Sequence, residues 1–267
     1  MSKLLNHLPA LSNMVRRVAL EAGEITLGYF EEGMILSAET KGDGSPVTEA
    51  DRAAEAHIVK AFKEDFPDIP VVGEEAVAAG EIHDLSSAEY FWLVDPLDGT
   101  REFIAGSPEF TVNIALIKNN EPVLGVIYAP AKGEMYSAYG EGTAVRWLQD
   151  SGSEKEISVR KPSRGGLVVM ASKNRAGEAL DTYLAEHKVE KIIRRGSSLK
   201  LCAVAAGKAD IYPGLWQTCE WDTAAGHAIL NAAGGEVVTL DGEPLRYGLQ
   251  SPHFINPSFV ARSKYLA

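Results

Sequence analysis

Residues 92–100 read WLVDPLDGT, an apolar run that delivers two carboxylates into a turn. Trp92 to Val94 has the character of a buried strand end. Asp95 and Asp98 follow, with Pro96 between them and the turn-forming pair Gly99-Thr100 behind. Two acids held by a rigid turn make a hard-oxygen cage suited to Mg²⁺, and the amides of Gly99 and Thr100 can face a phosphate as amides do at nests and helix starts. A metal cage beside an anion cradle points to phosphate-ester hydrolysis. The competing reading is an ordinary Asp-Gly surface turn. Two acids, a proline and a threonine on one strand end weigh against it.

Composition narrows the partners. The chain has 267 residues, enough for one large domain or two small ones sharing a cleft, and is 45% hydrophobic and 24% charged. A formal net charge of −11 argues against polymeric nucleic acid and against an anionic membrane surface. A small phosphorylated substrate remains compatible, provided metals and local cations reverse the field. The two cysteines, Cys202 and Cys219, form neither a disulfide framework nor a zinc site and read as buried thiols. The N-terminal segment is interrupted by His7, Asn13, Arg16 and Arg17, so it lacks the apolar core of a signal peptide. No stretch approaches the length of a membrane span. A cytoplasmic location is expected.

Hydrophobic periodicity predicts an opening helix from residue 8 to about 30, and a second from the N-cap Thr48 to about Phe66, after the polar segment KGDGSPVTEAD. Strands are expected at Val71-Val72, Tyr90 to Val94, Phe110 to Ile117, Val123 to Tyr128 and Glu134 to Ala138, with turns at Asn119-Asn120 and Ala131-Lys132-Gly133. QDSGSEKE, residues 149–156, is the most linker-like stretch. It divides an N-terminal α+β subdomain (1–150), carrying most of the metal ligands, from a C-terminal α/β subdomain (151–267). In the second half, strands at Leu167 to Ala171, Lys191 to Arg194, Asp210 to Tyr212 and Glu236 to Leu240 alternate with helices at Gly177 to His187, Ser198 to Ala206 and Asp222 to Ala233.

Three further acids belong to the argument. Asp51 lies three residues after Thr48, where it can complete a capping box. Glu74 follows a strand through Gly73, and Asp222 opens an apolar helix, where an acid is favoured by the dipole. Glu74, Asp95 and Asp98 all follow short apolar strands, the region where open α/β sheets bind ligands. If they converge, their like charges require a cation, in a site suited to two-metal hydrolysis. Thr100 could orient the attacking water but is too weak an acid to serve as base without Asp51 or Glu74.

GDGSPVTEAD, VVGEE, WLVDPLDGTREF and WDTAAGHA together resemble the inositol monophosphatase superfamily of Mg²⁺-dependent, lithium-sensitive phosphatases, over nearly the whole chain and in the family's order. DPLDGTREFI, FTVNIALI, GVIYAPAKGEMYSA and GSSLK are similar to its bacterial 3′(2′),5′-bisphosphate nucleotidase branch, of the CysQ type; Arg101-Glu102 departs from the DPIDGTTNF-like turn of inositol phosphatases. The resemblance implies a layered αβαβα sandwich, the mixed α/β fold of the inositol monophosphatase and sugar phosphatases. It makes Glu74, Asp95, Asp98, Asp222 and the Leu97 carbonyl ligands of two or three Mg²⁺ ions. Asp51 and Thr100 would activate the water, and Gly99 and Thr100 would hold the scissile phosphate. Gly196, Ser197, Ser198 and Lys200 would bind the rest of a nucleotide, with Asp222 beside it and Glu220 as a hydroxyl contact.

The implied activity is removal of the 3′-phosphate of adenosine 3′,5′-bisphosphate by in-line attack of metal-activated water. The sulfated relative 3′-phosphoadenylyl sulfate is a second substrate and sulfur assimilation the setting. The implied enzyme is a monomer or homodimer, and nothing in this acidic chain demands the inner-membrane association possible in bacterial relatives. An inositol-1-phosphate or sugar-bisphosphate phosphatase using the same cage is the alternative. A phosphoaspartate mechanism is disfavoured because its motif separates two aspartates by one residue, whereas two separate Asp95 from Asp98. A non-catalytic nucleotide sensor would leave Thr100 without a purpose. His227 reads as a packing histidine. YGEGTAV lacks a complete dinucleotide-binding motif.

Overall fold

The computed structural model describes residues 3–31, 39–40, 46–81, 84–173, 177–249 and 253–266. The opening amphipathic stretch forms α1 (Leu8–Glu31), with Leu11, Val15, Val18 and Ala22 buried along one stripe. A two-residue ribbon pairs β1 (Glu39–Thr40) with β2 (Pro46–Val47) ahead of α2 (Glu49–Asp65). The expected N-cap is present: the Thr48 N–H donates to Asp51 Oδ2 at 2.8 Å, half of a capping box. Residues 41–45 of the polar segment lie outside the described residues.

β3 (Val71–Gly73) passes directly into α3 (Glu74–Ala78), and β4 (Tyr90–Asp98) runs parallel to β3 before α4 (Thr100–Ile104). An antiparallel meander then adds β5 (Thr111–Lys118), β6 (Glu121–Ala129), β7 (Glu134–Ala138), β8 (Val145–Leu148) and β9 (Glu154–Glu156), giving a seven-stranded sheet in the order β3-β4-β5-β6-β7-β8-β9. Asn119 and Asn120 both take positive φ at the β5–β6 turn, as a tight hairpin demands. Because strand side chains alternate, Trp92 and Val94 face α1 and α2, while Phe91 and Leu93 face the opposite side. Trp92 stacks on Phe62 of α2 at 4.2 Å, a contact worth about 1 kcal/mol beyond its buried area.

The second half supplies β10 (Leu167–Ser172), α5 (Glu178–Ala185), β11 (Val189–Arg195), α6 (Leu199–Ala205), β12 (Ile211–Gly214), α7 (Glu220–Ala232), β13 (Gly235–Thr239) and β14 (Phe259–Ser263). The five-stranded sheet has the order β11-β10-β12-β14-β13, with β10 parallel to both neighbours and β14 antiparallel to both of its own. Val168 and Met170 face α6 and α7, while Val169 and Ala171 face α5. Helices α6 and α7 are thus buried between the two sheets. The layers are α1/α2, seven strands, α6/α7, five strands and α5, the αβαβα arrangement expected. Near-continuous apolar runs in β4, β5 and β10 follow from burial of both faces.

Two glycines bring α7 into place. A Cβ at Gly125 of β6 would overlap the Ala225 carbonyl, and one at Gly226 would meet Leu201 of α6 at 2.5 Å or more. Asp210 is fully buried, where both its oxygens bond Arg160, at 2.7 and 2.8 Å, and Oδ2 also accepts the Val168 N–H at 2.7 Å. This fork ties the segment entering the second sheet to β10.

Several local expectations differ from the structure. The linker-like residues 149–156 form the turn and final strand of the β8–β9 hairpin, with Trp147 paired to Glu154, so the first sheet ends only at Glu156. Strand β4 continues four residues past Val94, since pairing with β5 resumes at Asp98–Thr111 after an irregularity. Helices α3 and α4 and strands β8, β9 and β14 had no counterpart in the periodicity. His227 is buried against the Tyr247 hydroxyl at 3.0 Å, and burial followed by the Arg246 charge pushes its pKa down to about 3. Cys202 is buried, whereas Cys219 is only half-buried.

Candidate active site

The parallel register of β3 on β4 pairs Gly73 with Val94, so the next residues, Glu74 and Asp95, emerge side by side. Asp95 shares its face with Phe91 and Leu93 and so projects into the layer between the sheets. From within that layer α7 presents Asp222 in its first turn. One carboxylate oxygen from each of Glu74, Asp95 and Asp222 lies within 4.8 Å of the others. Burial, then the charges of Asp98 and Glu74, hold the Asp222 carboxyl well above the ordinary carboxylate range. An all-oxygen set crowded enough to resist ionisation is a donor set for a hard divalent cation, and the residues fit one.

Asp98 enters differently. The break in β4–β5 pairing between Asp95 and Asp98 re-aims its side chain, and Oδ2 accepts the N–H and hydroxyl of Ser198, each at 2.5 Å. Asn113, paired with Asp95 across β4–β5, donates its amide to Ser198 Oγ at 2.7 Å. Asp98 lines the same cleft as the three-acid cluster but is not part of it. The backbone N–H of Leu97 donates to Asp95 Oδ1 at 3.1 Å, and its carbonyl lies 3.2 Å from Thr100 Oγ1, as an alternative to Asp51 Oδ1 for that hydroxyl's one proton.

Gly99 caps α4 at φ +97°, and a Cβ there would lie 2.9 Å from the Glu109 carbonyl. Only glycine adopts this turn without strain. It leaves the amides at the start of α4 on the cleft wall with Thr100, whose hydroxyl lies 3.3 Å from Asp51 Oδ1. The other Asp51 oxygen serves Thr48, whose Oγ1 donates to Oδ2 at 2.6 Å. Asp51 is buried behind Thr100 and reaches the cleft through it.

The opposite wall is the Gly196–Lys200 segment. Ser197 adopts φ +44°, an uncommon conformation for a non-glycine residue. The loop is braced by Glu109, which accepts the Gly196 N–H at 3.3 Å and pairs with Lys132 at 3.4 Å. Although burial opposes it, that bond together with Lys132 and Arg195 lowers the Glu109 pKa. Lys200 is buried, donates to the Ser197 carbonyl at 2.5 Å and lies 5.3 Å from the Tyr212 ring. Burial pulls its pKa below the usual lysine value, against the charges of Asp98, Glu102, Asp222 and Glu109.

The cleft between these walls has a volume of about 450 Å³ and continues past Ser172, Tyr212 and Trp216. Gly196, Ser197, Ser198 and Lys200 line it together with Glu74, Asp95, Leu97, Asp98, Gly99, Thr100 and Asp222. Glu220, expected to contact a substrate hydroxyl, is fully buried and is not among the residues lining the cleft, and Oε2 accepts the Gly248 N–H at 2.6 Å. Being the first residue of α7, it turns beneath the helix while Asp222 turns toward the cleft. Sequence reasoning passed over Asn113, Glu109 and Glu55. The last binds the start of α3 from α2, through 2.8 Å bonds from Glu75 N and Ala76 N. An acid four residues after Asp51, on the same helix face, was the one available signal.

The sequence profile of the inositol monophosphatase family matches residues 9–264. The 3′(2′),5′-bisphosphate nucleotidase CysQ of Escherichia coli O157:H7 is 44% identical over 250 residues, spanning 92% of this chain and 97% of that protein. The protein of the same name in Haemophilus influenzae is 32% identical over 253 residues, 94% of this chain and 91% of that one. Among solved structures, CysQ from Bacteroides thetaiotaomicron superposes with a TM-score of 0.80 at 37% identity, covering 96% of this chain and 97% of its own. An inositol monophosphatase from Anabaena gives 0.73 at 27% identity, covering 97% and 92%. With 256 of its residues spanned by the profile (9–264), the chain belongs to the inositol monophosphatase family.

Proposed function

We propose that this chain is a Mg²⁺-dependent 3′(2′),5′-bisphosphate nucleotidase, which hydrolyses the 3′-phosphate of adenosine 3′,5′-bisphosphate to leave AMP and phosphate. The observation that carries it is the joining of two features in one cleft: the acid cluster Glu74–Asp95–Asp222, and an anion-binding wall built from Gly99, Thr100 and Gly196–Lys200. The names of the two sequence relatives reported above favour the nucleotide over an inositol ester.

Glu74, Asp95 and Asp222 would hold Mg²⁺, with the Leu97 carbonyl and Asp98 completing sites for two or three ions. Bound there, Mg²⁺ supplies Lewis acidity toward the phosphoryl oxygens and acidifies water. The protein's own groups do the rest. The amides of Gly99 and Thr100 orient the scissile phosphate. Thr100 Oγ1, donating to Asp51 Oδ1, has lone pairs free to receive a proton from the attacking water, and Asp51 Oδ1 takes the hydroxyl proton in turn. Ser197, Ser198 and Lys200 face the remaining nucleotide. Positioning and charge stabilisation then account for catalysis without a covalent intermediate. The reading carries with it lithium inhibition, 3′-phosphoadenylyl sulfate as a second substrate, and a cytoplasmic place in sulfur assimilation. No described helix is long and apolar enough to cross a membrane.

The test is phosphate release from adenosine 3′,5′-bisphosphate and inositol 1-phosphate side by side, with Mg²⁺, with chelator and with lithium. A chelator-sensitive preference for the nucleotide is expected. Preference for the inositol ester would retain the metal chemistry and overturn the substrate assignment.

A further inference from the structure

Glu55 does not line the cleft, yet it is a buried carboxylate at 6% exposure, and each of its two oxygens accepts a backbone N–H from the start of α3. Oε2 accepts the N–H of Glu75 and Oε1 the N–H of Ala76, each at 2.8 Å. These are the second and third residues of α3, whose first residue is Glu74. Gly73, the N-cap, offers no side chain to satisfy them, and a Cβ there would overlap the Glu55 carboxylate. An acid from a neighbouring helix therefore does what an N-cap side chain ordinarily does, with the added match of a negative charge to the helix start.

A five-residue helix has little intrinsic persistence. The direction in which Glu74 leaves β3 is consequently set by what holds the next two amides. Asp51 and Glu55 lie one turn apart on α2, so that a single helix face anchors Thr100 through one acid and α3 through the other.

We propose that Glu55 is a positioning residue for cation binding: by clamping the start of α3 it fixes the Glu74 carboxylate opposite Asp95 and Asp222, and so sets the affinity of the site. The inference rests on the metal-site reading given above. Outer partners of metal ligands commonly contribute about 10- to 100-fold in metal affinity, and a clamp of two charge-assisted hydrogen bonds belongs in that range.

The experiment measures Mg²⁺ binding to the full chain by titration calorimetry without substrate, for wild type, Glu55→Gln, Glu74→Gln and the double variant. Circular dichroism checks each fold. Glu55→Gln keeps the volume, loses the charge and turns an amide NH₂ toward a backbone N–H. It should weaken Mg²⁺ binding about tenfold. In phosphate-release assays the Mg²⁺ concentration for half-maximal rate should rise accordingly, with the rate at saturating Mg²⁺ little changed. On a Glu74→Gln background, Glu55→Gln should add almost nothing, because its effect passes through Glu74. A merely structural role would instead give additive losses. Unchanged Mg²⁺ affinity in Glu55→Gln, with affinity lost in Glu74→Gln, overturns the role of Glu55 and leaves the metal site standing. Unchanged affinity in both overturns the two together.

Discussion

Ser198 grips Asp98 twice, through its backbone N–H and its hydroxyl, both 2.5 Å from Asp98 Oδ2. The same hydroxyl lies 3.0 Å from the carbonyl of Asp222. Its single proton serves one acceptor at a time, while Asn113 donates to the oxygen from below. Ser198 therefore joins the cleft wall proposed to hold a nucleotide to the Asp98 carboxylate and to the backbone of Asp222. Ser198→Ala removes the hydroxyl and keeps the N–H. A hydrogen bond to a charged group is worth about 2 kcal/mol, so kcat/KM should fall roughly 10- to 30-fold. The loss should appear for mono- and bisphosphate substrates alike, measured as phosphate release.

Under the proposed function, Lys200 is the residue that tells a bisphosphate from a monophosphate. Its amine is surrounded by the charges of Asp98, Glu102, Asp222 and Glu109, so it counters the field that would otherwise repel a second phosphate. Lys200→Met preserves most of the side-chain volume. KM for adenosine 3′,5′-bisphosphate should rise about tenfold, and that for a monophosphate much less. Equal effects on both would reduce Lys200 to a support for the Ser197 carbonyl.

Cation binding should be tied to proton release through Asp222. Its carboxyl is raised above the ordinary value of 3.8 by burial and by its acidic neighbours. A group raised on folding contributes stability that is present below its unfolded pKa and lost as pH climbs through the folded one. The cation-free protein should thus weaken on that account as pH rises above 3.8, and Mg²⁺ should rescue it by displacing the remaining proton. The drop in Tm caused by chelator should be larger at pH 8 than at pH 5. Calorimetric titrations in buffers of different protonation enthalpy should show protons leaving as Mg²⁺ enters.

His227 makes the opposite contribution. Its pKa falls from 6.5 to about 3 on folding, so the unfolded chain binds more protons between those values and stability declines as the medium is acidified through that window. Between pH 7.5 and pH 5 the loss is about 2 kcal/mol. His227→Gln, which keeps a hydrogen-bonding group near Tyr247, should show a correspondingly flatter decline in urea-unfolding free energy over the same range.

The strand-to-turn motif WLVDPLDGT was readable because its chemistry is local: alternation fixes the face on which Asp95 lies, and glycine fixes the turn at Gly99. The helices α1 and α2 and their cap were readable for the same reason. The neighbourhood of Glu74 was not, because a parallel pairing such as Gly73–Val94 is set by packing between segments far apart in sequence. Glu55 looks like any acid in a helix interior until α3 is placed beside it. Glu220 and Asp222, two residues apart at the start of α7, point about 200° apart, so that Asp222 lines the cleft while Glu220 is buried, a divergence that only the placed helix shows. QDSGSEKE was misread because a hairpin tip and a linker both favour polar and glycine-rich sequence.

The contacts of Gly125 with Ala225 and of Gly226 with Leu201 bear on where this protein can tolerate evolutionary drift. They wedge α7 between a sheet and a helix, so Asp222 takes its place from a seam of small residues in the middle of the molecule. One added methyl on that seam would push the whole helix outward and carry a carboxylate away from its partners. Inactivating substitutions should therefore collect along a buried line as well as around the cleft itself.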